Sequence, residues 1–273
     1  MDDETVDRYL ARIAAPRPPG PTSAALHDLQ AAHLLAVPFE NLSIHLGETI
    51  VLDEKSICEK LLGRHRGGFC YELNGAFGCL LEALGFEVTF LAARVATAVG
   101  EVGPPFDHLV VRVDTDRSWL VDVGFGDHST YPVALDDAGP HDDPGGTFGV
   151  VETPDGDIDV IRDGVAQYRV ELRPRQWVDF VPMCWWHQTS PSSHFTQSLV
   201  CSLAIPGGRV TLSDRRLITT VAGVRSEKLL TSDDEVVAAY RDIFGIVVAH
   251  PPRLTAAWAV PAGNRNPPAP PSI

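Results

Sequence analysis

Hydrophobic residues along this chain recur with two different periods, and the change falls near residue 86. Before it the spacing is helical. Behind Cys70 the apolar positions Leu73, Ala76, Phe77, Leu80, Leu81 and Leu84 fall on one face, which predicts a buried helix that begins at or near the cysteine and ends at Gly85. Shorter amphipathic helices are expected over 5–13, stopped by the prolines of 16–21; from Thr22 or Ser23 onward, with Leu26, Leu29, His33 and Leu34 on one side; and over 52–62, opened by Asp53 and Glu54. Beyond Glu87 the period falls to two. Segments 88–95, 108–113, 119–125, 147–152, 158–162 and 167–172 read as short strands between Gly, Pro and Asp turns, a pattern that closes into a small barrel or a curled sheet. The aromatic stretch 175–190 reads as a connecting helical segment, 199–204, 209–213 and 215–221 as further strands, and 232–244 as a closing helix capped by Ser232 and Asp233. The acidic, glycine-containing stretch 136–146 is expected to be a mobile surface loop, and the proline-rich tail from His250 to be disordered.

The boundary before the cysteine helix carries candidate chemistry. In Arg66-Gly67-Gly68-Phe69-Cys70, the glycines allow a tight, left-handed approach to the helix, and Cys70 falls in the first turn, where free N–H groups and the helix dipole favour an anion. A free cysteine, with a pKa near about 8.5, is only about 3% ionised at neutral pH. A helix N-terminus with a cationic neighbour lowers that pKa, so Cys70 is expected to lean towards thiolate, the nucleophilic form. A base and its orienter follow from strand register. If 108–113 and 119–125 form a hairpin in which Val113 faces Trp119, then Val110 faces Asp122, and His108 lies two residues along on the same face. A slip of one residue would separate His108 from Asp122. Cys70, His108 and Asp122 are thus candidates for nucleophile, base and orienter, provided the hairpin packs on the start of the cysteine helix.

Six blocks extend this reading: Val37-Pro38-Phe39-Glu40-Asn41-Leu42, the glycine-cysteine block, Asp107-His108-Leu109, Val121-Asp122-Val123-Gly124-Phe125-Gly126, Ser193-His194-Phe195 and Gly208-Arg209-Val210-Thr211-Leu212. Together, and in this order, they resemble the arylamine N-acetyltransferases of bacterial type over about residues 5–245. The resemblance implies an α+β fold in three parts: a helical module over 1–86 with the catalytic cysteine, a central antiparallel β-barrel and connecting segment over 87–204 with His108 and Asp122, and a C-terminal α/β lid and tail over 205–273. It implies an acetyl-cysteine enzyme that takes its acetyl group from acetyl-CoA as cosubstrate and delivers it to the nitrogen of an arylamine, arylhydrazine or hydrazide. It further implies that Phe39, Phe125 and Phe195 line the acceptor pocket, that Gly126 lets the pantetheine arm of the donor approach the backbone, and that Glu40 pairs with Arg66 to hold the loop before Cys70. One departure is Asp107, an extra carboxylate immediately before His108. The triad alone also fits a hydrolase, a transglutaminase-like enzyme or an amide synthase fed by a carrier-bound thioester, because it does not choose between water, amine and peptide.

Composition narrows the partners. A net charge of −14 is unsuited to nucleic acid or an anionic membrane surface, so small molecules are the expected partners of a monomer or homodimer. The same charge means that polyanionic CoA needs a local basic patch, for which Arg209, Arg215, Arg216, Arg225 and Lys228 are candidates. The five cysteines form no C-x-x-C pair and no two histidines have metal spacing, so no metal is expected, and Cys58, Cys79, Cys184 and Cys201 read as structural thiols. His128, His187 and His194 read as surface or packing residues. The acidic start Met1-Asp2-Asp3-Glu4 and the lack of an apolar run near about 18 residues lead to the expectation of a cytoplasmic protein.

Overall fold

The computed structural model describes residues 1–97, 100–137 and 139–254. Helix α1 (Asp3–Arg12) begins two residues before the expected start because the Asp2 carboxylate caps it, accepting from the Thr5 N–H at 2.9 Å. Helix α2 (Ser23–Ala36) is capped by Thr22 as expected. A short strand β1 (Phe39–Glu40) and a single helical turn α3 (Leu42–Leu46) follow. Helix α4 (Glu54–Cys58), capped by Asp53, then widens into a π-helical turn over Glu59–Gly63. Helix α5 (Cys70–Ala83) starts at the cysteine. Its N-cap, Phe69, offers no side-chain cap, so packing must hold it: Tyr71, Leu73, Phe77, Leu80 and Leu81 are all fully buried, each contributing roughly 1.5–3 kcal/mol.

Strands β2 (Glu87–Val95), β3 (His108–Asp114), β4 (Ser118–Val121), β5 (Val133–Ala134), β6 (His141–Asp143), β7 (Gly146–Glu152), β8 (Ile158–Arg162) and β9 (Val165–Arg175) form one antiparallel sheet in the order β5-β4-β3-β2-β9-β8-β7-β6. It curls until β5 touches β7. Leu91, Val110, Leu120, Phe148, Val160, Tyr168 and Val170 fill its interior. The hairpin register is the expected one, Val113 facing Trp119 and Val111 facing Val121. However, β4 stops short of the expected 119–125: the Asn74 Oδ1 takes the Val123 N–H at 2.8 Å and the Asp122 carboxylate takes the Gly124 N–H at 2.9 Å, which withdraws both donors from the ladder. The segment 136–146 contains β6 and the turn into β7 rather than an open loop; Asp143 ties it down by accepting from the N–H groups of Thr130, Tyr131 and Gly145.

A 3₁₀ turn (Trp177–Phe180), helix α6 (Val181–Thr189) and the turn α7 (His194–Gln197) connect to a second antiparallel sheet of β10 (Val200–Ile205), β11 (Gly208–Ser213), β12 (Arg216–Val221) and β13 (Val224–Leu229). Its order is β1-β10-β11-β12-β13, so β1 carries the N-terminal part into this sheet. Strand β13 was not expected: it is exposed throughout and has no alternation of apolar and polar positions. Helix α8 (Asp233–Phe244), capped by Ser232, packs Val236, Ala239, Tyr240 and Phe244 against Leu199, Cys201, Val210 and Leu212. The tail expected to be disordered lies, from residue 255 on, outside the described residues.

Candidate active site

Cys70 is the first residue of α5, and a buried ionic network secures the loop that delivers it. Arg66 Nε donates to Glu40 Oε1 at 2.9 Å, the pairing expected above, and Glu40 Oε2 accepts from the Leu42 N–H at 2.6 Å. Lys60, which the sequence did not single out, lies on the π-helical turn and donates to Glu72 Oε1 at 2.7 Å while standing 3.7 Å from Glu40. Glu72 Oε2 in turn accepts from the Phe69 N–H, at the helix start, at 3.2 Å. Burial alone would raise the Glu40 carboxyl, but Lys60 and Arg66 outweigh it and hold the group below its ordinary range. For Glu72 burial wins, and its carboxyl is raised. Gly67 is not left-handed; it is required because a Cβ there would lie 1.8 Å from the Pro38 carbonyl oxygen, where β1 meets the loop.

His108 opens β3 and Asp122 follows β4. His108 Nε2 lies 2.7 Å from Asp122 Oδ2, both side chains buried. Burial would raise the Asp122 carboxyl, yet His108 and its hydrogen bonds hold it down to about 2. The remaining oxygen, Oδ1, accepts from Asn74 Nδ2 at 2.8 Å and from the Gly124 N–H. Asn74 also donates to the Leu109 carbonyl at 2.6 Å. This residue, one turn after Cys70, therefore clamps the cysteine helix to both strands that carry His108 and Asp122. Its signal was a polar side chain at i+4 from Cys70 on a helix face that is otherwise apolar. Gly124 completes the clamp, since a Cβ there would sit 2.6 Å from the Cys70 Cα.

The Cys70 thiol is buried, and burial pushes it well up, the Leu109 backbone amide opposing only in part. Against the expected lean towards thiolate stands this burial: desolvation opposes the helix N-terminus, and coupling to a proton acceptor favours ionisation of Cys70. One cleft of about 1060 Å³ is lined by Cys70, His108, Phe39, Phe125, Gly126 and Phe195. Phe125 packs edge-on to the His108 ring at 5.3 Å, and Phe195 packs on Phe39 and Phe69. His128 is buried among Phe125, Phe148 and Tyr168, and burial lowers it to about 4, so it is a neutral packing residue. His187, expected at the surface or in packing, is buried against Tyr71, Trp186 and Phe195 and also lines the cleft, as do His128 and the exposed His194. Of the basic candidates, Arg209 and Arg225 line the cleft. Arg215, Arg216 and Lys228 do not; they pair with Asp233, Glu227 and Glu235. Among the described residues no group of three His, Cys, Asp or Glu side chains is placed to hold a metal ion.

A family model described as N-acetyltransferase matches residues 22–252. The arylamine N-acetyltransferase of Mycolicibacterium smegmatis is 34% identical, the match covering 87% of this chain and 90% of that one. The chain belongs to the arylamine N-acetyltransferase family. Within the family, the Salmonella typhimurium arylamine N-acetyltransferase / N-hydroxyarylamine O-acetyltransferase is 35% identical over 76% of this chain and 75% of its own length. The solved structure of the Mycobacterium marinum enzyme in complex with CoA superposes with a TM-score of 0.81 at 31% identity, covering 88% of this chain and 92% of that one.

Proposed function

We propose that this protein is an arylamine N-acetyltransferase that moves the acetyl group of acetyl-CoA to an arylamine, arylhydrazine or hydrazide nitrogen through an acetyl-Cys70 intermediate. The observation that carries the reading is the 2.7 Å bond from His108 Nε2, in the cleft that Cys70 also lines, to a buried Asp122 carboxylate held ionised behind it. With Nε2 committed to Asp122, the other ring nitrogen, Nδ1, is the one available to the thiol. Proton transfer from Cys70 to His108 leaves the net charge of the buried triad unchanged, because the proton stays within it, and Asp122 stabilises the imidazolium that forms; a lone thiolate would be resisted by burial. The thiolate attacks the thioester carbonyl, the bond to CoA sulfur breaks, and the departing CoA thiolate takes the proton from His108. The amine nitrogen then attacks acetyl-Cys70, the carbon–sulfur bond breaks, and the proton lost by nitrogen returns through His108 to the cysteine. Phe39, Phe125 and Phe195 suit a flat aromatic acceptor, and the family's relation to a CoA complex supports acetyl-CoA as donor. In the same reading the curled sheet acts as the barrel, and the β10–β13 sheet with α8 as a lid whose Arg209 and Arg225 border the donor's end of the cleft.

Intact mass after mixing with acetyl-CoA alone tests this. One acetyl group on Cys70, formed with stoichiometric CoA release and discharged by an arylamine, is the expected result. An unmodified protein, or acetyl on another cysteine, overturns the reading.

A further inference from the structure

A second histidine and carboxylate stand in the cleft, outside the triad. Asp107 Oδ1 lies 3.1 Å from His187 Nε2, and both residues line the cavity with Cys70. His187 is only 4% exposed, and its Nε2 has no aligned hydrogen-bond partner among the described residues. The ring is nonetheless fixed: Nδ1 lies 3.2 Å from Ser193 Oγ, which already accepts from the Phe195 N–H, and the ring packs edge-on to Phe195 at 5.1 Å. Asp107 is fixed through its backbone, whose carbonyl accepts from the Tyr71 hydroxyl at 3.0 Å, one residue beyond Cys70. Among the described residues no donor reaches its carboxylate with hydrogen-bond geometry. The other carboxylate lining the cleft, Asp127, is offset by Arg162 and Arg209, each 3.3 Å away. Among the described residues no arginine or lysine stands beside Asp107 in this way; its ion-pairing neighbour is His187.

A buried imidazole nitrogen and a carboxylate, both held in place and both short of partners, make a polar site with its own preference. Phe195 is a wall of the proposed acceptor pocket and packs directly on His187, so the pair faces the acceptor. A carboxylate with no arginine or lysine beside it disfavours a second carboxylate and favours an N–H donor. We propose that Asp107, backed by His187, determines acceptor specificity, selecting acceptors that carry an additional N–H donor, such as hydrazides, and rejecting arylamines that carry a carboxylate. This rests on the acetyl-Cys70 reading above and adds the substrate class of the same site.

The test isolates the second half of the reaction. Enzyme is acetylated with acetyl-CoA and freed of CoA, and single-turnover discharge is followed with 4-aminobenzoate, methyl 4-aminobenzoate and benzohydrazide, in the wild type and in Asp107→Asn. Comparing mutant with wild type for each acceptor cancels intrinsic nucleophilicity. The expected result is that 4-aminobenzoate gains on the order of tenfold, methyl 4-aminobenzoate, which has neither a carboxylate nor a further N–H, changes by less than about twofold, and benzohydrazide loses severalfold. A structural role would move all three together. Equal changes in all three acceptors, or none, overturn the proposal. Asp107→Ser, read in the same way, serves where the asparagine variant does not fold. Failure to form acetyl-Cys70 in the wild type would instead strike the proposed function, so the two readings fail separately.

Discussion

At the scale of single residues, Asp122 has the most to explain, a charge in full burial. Three donors account for it: His108, Asn74 and the Gly124 N–H. Asp122→Asn retains the shape and removes the charge that offsets the imidazolium. Acetylation of Cys70 at neutral pH should then fall by about 10³–10⁴-fold, as the loss of a triad orienter does elsewhere. The check is stopped-flow CoA release together with the pH profile of Cys70 alkylation, which should move to higher pH in the folded mutant. Superimposable profiles would remove Asp122 from the mechanism. His108 and Asp122 could be paired from the sequence because side chains alternate strictly along a strand, so one assumed pair in the ladder fixed the rest. Asn74 and the Asp107–His187 pair could not. A lone polar residue on a helix looks the same in sequence whether it caps, faces water or bridges to a distant strand.

At the scale of elements, the turn from α4 into α5 depends on charges taken out of water. Lys60 is 4% exposed and serves both Glu72 and Glu40. Lys60→Met preserves most of the stem but strands Glu72 at the start of the cysteine helix, and breaking a buried pair in this way costs about 3–5 kcal/mol. Urea unfolding at pH 7.5 should show a loss of that size; a loss below about 1 kcal/mol would mean that Glu72 is neutral there and needs no cation. The helices and most strands were legible because their periods are local. The π-helical turn was not, since it differs from an α-helix only in which carbonyl each N–H finds, and β13 was not, since both its faces are wet.

For the whole molecule, acid sensitivity follows from histidines buried without a carboxylate to hold their charged form. His33 lies between Tyr9 and Phe77 with neither ring nitrogen bonded, and burial lowers it to about 3; His128 is lowered to about 4. Unfolding frees both to bind a proton near the ordinary 6.5. Their stabilisation is therefore complete above that pH and is lost as pH falls towards 3 and 4, at about 1.4 kcal/mol per pH unit for each. His27 and His45 are shifted in the same direction, whereas Glu72, raised by burial, works against them. Stability measured from pH 7 to 5 should fall, and His33→Phe should remove about 1 kcal/mol per unit of that slope, since the unfolded histidine is only half protonated at pH 6.5. An unchanged slope would show His33 protonated in the folded protein. The arrangement of the two sheets was the least legible feature: β2 lies beside β9, and β1 beside β10, about 160 residues away in sequence, and such pairings leave no local mark.

The close contact of Gly124 with the Cys70 backbone also governs traffic. Helix α5 is buried along most of its length, and Cys70 at its start lines the cleft described above. In the acetyl-Cys70 reading proposed above, donor and acceptor reach the sulfur from this same cleft, one after the other. An acceptor that enters first, before any acetyl group is in place, occupies the donor's path and holds the enzyme idle.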